Sequence, residues 1–490
     1  MTPSDEAMAA RRRPAFPAPA SLVAPADAAN EPRLAAIDPE VVAGPAAHGE
    51  YRRWYLPVRA KFALTLAFAF AWMALSIALS LPWLRDLAAA AGWTLALFAI
   101  GFIAWVPGFM NAFLSATILM DRRPKRRRLP HYPPIAVLVA CYNEEKTIGD
   151  TLDSLALQAY PGEVEVLVID DGSTDASVSV ALKAAARHTR PGFLVRVLPQ
   201  PVNRGKSHVL NVGLESTTHE YVVTVDADSW VYEGGLRAIV ERLLTDPPGT
   251  AAVAGAVLVR NSRVNWLTKA QEWDYFHGIA AVKRMQSMYH GTLVAQGAFS
   301  IYRRSALLEV GGLPHCVGED IVVSWALLKA GYRVGFAEDA CLFTNVPETL
   351  GQFARQRQRW SRGLIEAFQR HGALLLKPRM STLFIWWNLL FLPMDLAFTL
   401  VFIPGIVAAL FGLYWIAGPM TLLVLPLALL WNFVIFRVQA RMFHERGLRV
   451  RRNLQGFLFY AFLYTVVLQP VCLKGYLAEL FKLKKTWGTK

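Results

Sequence analysis

Uncharged runs constrain this chain more than any other feature. Phe62–Leu84 carries no charged residue over 23 positions, and Leu87–Met120 carries none over 34. A helix crosses a bilayer with roughly 20 apolar residues, so each run holds one span. Only Arg85 and Asp86 lie between them, which predicts a tight hairpin. Ser381–Phe436 carries one charge, Asp395, in 56 residues, room for two spans and a short interfacial piece such as STLFIWWNLLF. Leu454–Leu473 is a last uncharged run of 20. It either crosses, leaving the lysine-rich tail outside, or turns back around Pro470, so four or five spans are expected.

Basic residues flank these runs: YRRWYLPVRAK precedes the first, DRRPKRRR at 121–128 follows the second, and Arg437–Arg452 holds six arginines against one glutamate. Positive flanks stay in the cytoplasm, which makes the region between roughly 130 and 380 cytosolic. The net charge of +14 therefore maps to membrane edges. With no nucleic-acid motif present, nucleic acid is not expected as a partner. Cys141, Cys316, Cys341 and Cys472 fall in no CxxC spacing and read as reduced structural residues rather than a zinc site. Residues 1–50 are rich in Ala and Pro, with RRRP at 11–14 and no apolar core of a secretory signal. They read as a disordered cytoplasmic tail. Asp395 sits in an apolar run, where a charge costs ~2.5–3.5 kcal/mol; it either lines a path or lies at the interface. A transporter builds its site from internal repeats at mid-bilayer. No such repeat is visible, so the chemistry is expected in the polar middle.

That middle alternates strands with helices. IAVLVACYNEEKTIGDTLDSLALQAY begins with a β-rich run at 135–141, then an acidic turn and an amphipathic helix. VEVLVIDDGSTDAS and HEYVVTVDADSW repeat the pattern, each a buried strand ending on acids. The alternation predicts a parallel α/β sheet, whose ligands sit beyond the carboxyl ends of its strands. Asp170–Asp171 and Asp226/Asp228 fall there. Carboxylates at i and i+2 suit a divalent hard cation, which in turn binds phosphates; taken alone they are also a solvated strand end. Lys206, in NRGKSHVLNVG, opens the helix leading into the DAD strand, where it would meet a diphosphate or be an ordinary loop lysine. Glu319 and Asp320, in GEDIVVSW, stand before an apolar helix, where acids are favoured by the dipole alone. RQRQRWSRG at 355–363 lies at the membrane edge, as a lipid-facing anchor or as a holder of a charged substrate.

Taken in order, YNEE, DDGSTD, GK, DAD, GED and QRQRW, flanked by apolar helices, resemble the processive family 2 glycosyltransferases, which include cellulose, chitin, hyaluronan and poly-N-acetylglucosamine synthases. GAFSIYRRSALLEVGGL (297–313), EDIVVSWALLKAGYRV (319–334) and PETLGQFARQRQRWSRG (347–363) look most like bacterial poly-β-1,6-N-acetylglucosamine synthases. GED departs from their usual TED and also occurs in chitin-oligosaccharide-type synthases. The resemblance implies an α/β cytosolic GT-A, Rossmann-like domain embedded in an α-helical transmembrane bundle. The expected organisation is a tail at 1–55, a hairpin at 56–120, the GT-A domain at 121–345, interfacial helices at 346–380, and C-terminal spans with a basic tail at 381–490. No room is expected for the PilZ domain that cellulose synthases carry.

By the same resemblance, the reaction is inverting transfer from a UDP-sugar, UDP-GlcNAc first, to a growing glycan, in the bacterial inner membrane. Asp320 would be the general base. Asp228 with Asp226 would hold Mg2+ or Mn2+. Tyr142, Glu144 and Asp171 would line the uridine pocket. Lys206, Gln356 and Arg359 would hold the diphosphate, with Trp360 and Glu319 at the acceptor. Membrane lipid and a small membrane accessory subunit complete the expected partners. The physics agrees: a departing diphosphate needs fixed positive charge, and a pyranose C–H face sits well on an indole.

Overall fold

The computed structural model describes residues 56–121, 128–445, 450 and 452–484. The N-terminal tail, most of the 446–451 arginine segment and the end of the lysine-rich tail lie outside them. Eight strands form one sheet in the order β3-β2-β1-β4-β7-β6-β8-β5. They are β1 Ile135–Cys141, β2 Val164–Asp170, β3 Phe193–Pro199, β4 Tyr221–Asp226, β5 Ser229–Val231, β6 Thr250–Val259, β7 Phe299–Arg303 and β8 Arg333–Thr344.

The core explains why the strands read as unbroken apolar runs. Side chains alternate faces along a strand, and both faces are covered. Leu138, Leu167 and Val222 pack on one side against Val209, Leu210 and Leu214 of the helix Lys206–Glu215. Val137, Val139, Val166 and Val223 pack on the other against Ile148, Leu152 and Leu155 of the helix Ile148–Ala156. A sheet buried on both faces needs apolar residues at every position.

The wholly parallel expectation is corrected. β3, β2, β1 and β4 are parallel, as are β6 and β8, but β7 runs antiparallel to β4 and β6, and β5 antiparallel to β8. Only two residues separate β5 from the end of β4, too few for the crossover that a parallel neighbour would need, and β5 pairs instead with β8.

Four helices among the described residues are long and apolar enough to cross a membrane: Val58–Ala91, Trp93–Met120, Thr382–Leu410 and Leu454–Leu480. Two expectations change here, and one open alternative is decided. The first helix runs through Arg85 and Asp86, and the turn falls instead at Gly92, whose φ of 84° is open to glycine at no steric cost. STLFIWWNLLF is no separate interfacial piece but lies on the continuous helix Thr382–Leu410, preceded by Ser381 as its cap. The last helix continues through Pro470 to Leu480 rather than turning back. A further helix, Pro419–Glu445, fills the remainder of the long C-terminal apolar region. Asp395 is buried against Tyr476, with which it hydrogen-bonds, so it lies between two of these helices.

Helices and sheet domain share side chains. The Tyr289 hydroxyl lies 3.1 Å from both Thr65 Oγ1 and Thr117 Oγ1, and its ring meets Phe62, Phe113 and Phe384. His277 is buried at another such junction, where burial pushes its imidazole down to about 4 against a hydrogen bond with Asn432. The sign follows directly. The unfolded chain takes up a proton below about 6.5 that the folded chain refuses. Stability from neutral His277 is therefore full above that pH and lost as pH falls toward about 4, to an extent of up to about 3 kcal/mol. His277→Gln should remove this slope. Thermal unfolding in detergent at pH 7.5 and 5 checks it; equal pH dependence in variant and parent would contradict it.

Candidate active site

The acidic motifs that follow β1, β2 and β4 lie at the carboxyl edge of the sheet. The loop after β1 is fastened to the loop after β2: Asn143 N–H donates to Ser173 Oγ (2.8 Å), Glu144 N–H to Ser177 Oγ (2.7 Å), and Thr174 N–H to Asn143 Oδ1 (2.9 Å). Tyr142 is exposed at this mouth. Asp171 is buried, and its two oxygens accept the backbone N–H groups of Arg204 and Gly205, each at 2.8 Å. Asp171 thus shapes the loop that launches the helix Lys206–Glu215. Its neighbour Asp170, the other acid of that pair, keeps a buried oxygen with no partner among the described residues.

Lys206 is brought to the DAD strand. Its Nζ pairs with Asp226 Oδ1 and lies 3.9 Å from Glu319 Oε1. Burial works against its charge, yet the carboxylates of Asp226 and Glu319 hold its pKa above the ordinary lysine value. Glu319 is buried and pushed up to about 7, by burial first and by Asp320, with Lys206 and Arg359 opposing. Asp228 is pushed up to about 6 by burial and by the charges of Asp226 and Glu144, with Lys206 opposing. Asp226, Asp228 and Glu144 thus form an acid-rich pocket that Lys206 only partly neutralises. The carboxylates of Asp226 and Asp228 are oxygen donors of the kind a divalent hard cation takes. Among the described residues no three His, Cys, Asp or Glu side chains converge closely enough to hold a metal alone, so a cation here would need ligands from a bound diphosphate.

Asp320 stands half-buried in the first turn of the helix Glu319–Ala330. Its Oδ1 accepts the N–H of Ile321 at 2.8 Å, and its Oδ2 lies 3.4 Å from the N–H of Gly297. A Cβ on Gly318 would meet Gly363 Cα at 2.4 Å. The glycine in GED therefore marks a close approach between this helix and Leu350–His371, which a threonine would have to push apart. Gly318 N–H also donates to Glu366 at 3.0 Å, and Trp325 packs edge-on against Phe368 at 4.8 Å.

The helix Leu350–His371 carries QRQRW, opened by a Thr349–Gln352 capping box. Its arginines divide. Arg357 is buried, bound to Asp274 Oδ2 (2.8 Å) and the Tyr464 hydroxyl (2.9 Å). Arg362 is buried on Glu479 at 3.0 Å and on the carbonyls of Leu483 and Lys484. Neither faces lipid. Arg359 is instead the arginine whose charge bears on Lys206 and Glu319. Gln356 keeps a buried side-chain oxygen without a partner. Trp360 is 38% exposed, with the Arg357 guanidinium 4.0 Å from its ring centre. One cluster thus gathers Lys206, Asp226, Asp228, Glu319, Asp320 and Arg359. Tyr275 and Lys283 border it and were missed. Burial pushes the Lys283 amine down to about 7, with Asp320 opposing; no sequence motif flags either residue.

Residues 136–311 match the family model "Glycosyl transferase family 2". The poly-beta-1,6-N-acetyl-D-glucosamine synthase of Staphylococcus epidermidis is 33% identical over 252 residues, 51% of this chain and 59% of that protein. The same-named synthase of Staphylococcus aureus (strain COL) is 33% identical over 286 residues, 58% of this chain and 67% of that protein. This chain therefore spans 59% to 67% of the length of these relatives. The mannosyltransferase PcManGT from Pyrobaculum calidifontis, solved with GDP-Man and Mn2+, superposes with a TM-score of 0.56 at 21% identity, covering 82% of this chain and all of that one. The sheet domain is GT-A-like, and the chain belongs to the family 2 glycosyltransferases.

Proposed function

We propose that the chain is a membrane-embedded, inverting glycosyltransferase that polymerises a UDP-sugar, with UDP-N-acetylglucosamine the preferred donor. The product is a β-linked exopolysaccharide, poly-N-acetylglucosamine, whose synthesis is coupled to export through the apolar helices. The observation that carries this reading is the side-chain cluster itself. Cations suited to a diphosphate, Lys206 and Arg359, converge there with acids suited to a metal and to a base. The names of the staphylococcal relatives support the sugar and the polymer. The four apolar helices and the basic flanks support a multi-pass inner-membrane protein with a cytoplasmic catalytic domain.

Lys206, Arg359 and Gln356 hold the diphosphate and neutralise the charge that grows as UDP departs. Tyr142, Glu144 and the loop shaped by Asp171 border the uridine. Asp228 and Asp226 would hold Mg2+ or Mn2+, which supplies Lewis-acid stabilisation of the leaving group when bound. Asp320 takes the proton of the acceptor hydroxyl as that oxygen attacks the anomeric carbon from the face opposite UDP. The bond to UDP breaks and the configuration inverts. Trp360 offers its indole to the acceptor sugar, with Glu319 beside it. Membrane lipid surrounds the spans, and a small membrane subunit could dock on them.

The test is donor choice. Membranes carrying the chain should incorporate labelled UDP-N-acetylglucosamine into polymer, and UDP-glucose much more slowly. Faster use of UDP-glucose would overturn the donor, and addition of a single sugar would favour a non-processive transferase.

A further inference from the structure

We propose that Tyr275 is a sugar-contacting residue of the acceptor subsite, its hydroxyl hydrogen-bonding a hydroxyl of the glycan end that lies on Trp360. The inference rests on the reading of Trp360 as the acceptor platform and extends it to a residue outside every motif.

Tyr275 sits on a π-helical turn, Asp274–Ile279. Such turns insert one residue and re-aim the side chains around it, often at functional sites. The ring is 6% exposed and lies 6.2 Å from the Trp360 ring at an interplanar angle of 53°. Arg357 lies beneath both rings, 4.0 Å from the centre of Trp360 and 5.8 Å from that of Tyr275. Asp274 and Tyr464 tie that guanidinium down, and the Tyr464 hydroxyl also donates to Asp274 Oδ2 at 2.8 Å. The two aromatic faces are thus fixed before any ligand arrives.

Buried phenols ordinarily find a partner. Tyr302 donates to the Ala295 carbonyl, Tyr289 meets two threonines, and Tyr464 bridges Asp274 and Arg357. The Tyr275 hydroxyl makes no hydrogen bond among the described residues, and its oxygen is not enclosed with the ring, so it opens onto accessible space. Charges bear on it from Arg357 and Asp274 on the platform side and from Arg359 and Asp228 on the donor side. It therefore stands between the pocket read as holding the diphosphate and the indole read as holding the acceptor. Burial pushes its pKa up to about 12, so it stays neutral and can both donate and accept. An aromatic wall with one neutral two-way hydrogen-bonding group suits an uncharged pyranose. A diphosphate, already faced by Arg359 and Lys206, gains little from a phenol.

Tyr275→Phe removes the hydroxyl and keeps the ring. The assay uses the full chain in detergent, UDP-N-acetylglucosamine as donor and a short N-acetylglucosamine oligosaccharide as acceptor. The expected result is a threefold to tenfold loss, the scale of about one neutral hydrogen bond, in kcat/KM for the acceptor. UDP affinity and thermal unfolding should stay at parental values. A weakened UDP affinity would overturn the proposal by moving the hydroxyl to the donor side. So would a lowered unfolding temperature with unchanged acceptor kinetics, which would make the role structural. Trp360→Ala is measured in parallel. If it loses acceptor use while Tyr275→Phe does not, this inference alone fails; if Trp360→Ala is also unaffected, the platform reading fails with it.

Discussion

Asp320→Asn should bind UDP like the parent and make polymer at least ~10²-fold more slowly, the low end of what a lost general base costs. The amide keeps the shape, and its one oxygen can still accept the N–H of Ile321, giving up only the longer 3.4 Å contact with the N–H of Gly297. It cannot take the acceptor's proton. The groups read as holding the nucleotide, Lys206 and Arg359, lie on other elements and keep their partners. The competing account makes Asp320 a helix-start charge, since it occupies the first turn of Glu319–Ala330. Loss of such a charge costs only ~0.3–1 kcal/mol of stability. UDP affinity, unfolding temperature and polymer yield on one preparation separate the two. Near-parental synthesis by the variant would sink the base assignment.

Asp228→Asn should abolish the divalent-ion dependence of UDP binding. A neutral amide is a poor ligand for a hard cation, and Asp228 is the acid on which the charges of Asp226 and Glu144 both bear. Asp226 is already paired with Lys206, so it cannot take over the whole role. The measurement is UDP affinity with and without Mn2+. The parent should show a large difference and the variant almost none. A variant with unchanged affinity and unchanged metal response would remove Asp228 from the site. The same substitution should relieve charge crowding on Asp226 and leave folding intact, which the unfolding temperature checks.

Much of this site is legible in the sequence because the physics that places it is local. A strand buried on both faces reads as an apolar run, and the acids that end β2 and β4 therefore announce the carboxyl edge of the sheet. Lys206 could be placed at a helix start from NRGK alone. Tertiary contacts hid the rest. The division of labour among the arginines of RQRQRWSRG depends on helical phase. Gln356, Arg359 and Trp360 share one stripe at spacings of three and four, while Phe353, Arg357 and Ser361 share the buried one. Phase alone does not say which stripe meets the cluster. That follows from Asp274 and Tyr464, residues 83 and 107 positions from Arg357. The hairpin turn was misplaced because a single Arg85–Asp86 dipeptide is a weaker chain-reversal signal than a glycine with positive φ six residues later, at Gly92. The mixed sheet was missed because β7 carries no mark of direction in FSIYR. Tyr275 lies in a stretch whose π-helical turn has no sequence signature.

The most direct test of the account is synthesis by the purified chain in lipid vesicles. Labelled UDP-N-acetylglucosamine and Mn2+ are supplied on the face carrying the catalytic domain, and the products are sized. The account predicts a long polymer of N-acetylglucosamine from the parent chain and none from Asp320→Asn, although both bind UDP. Products of one or two sugars, or equal polymer from the two proteins, would contradict it.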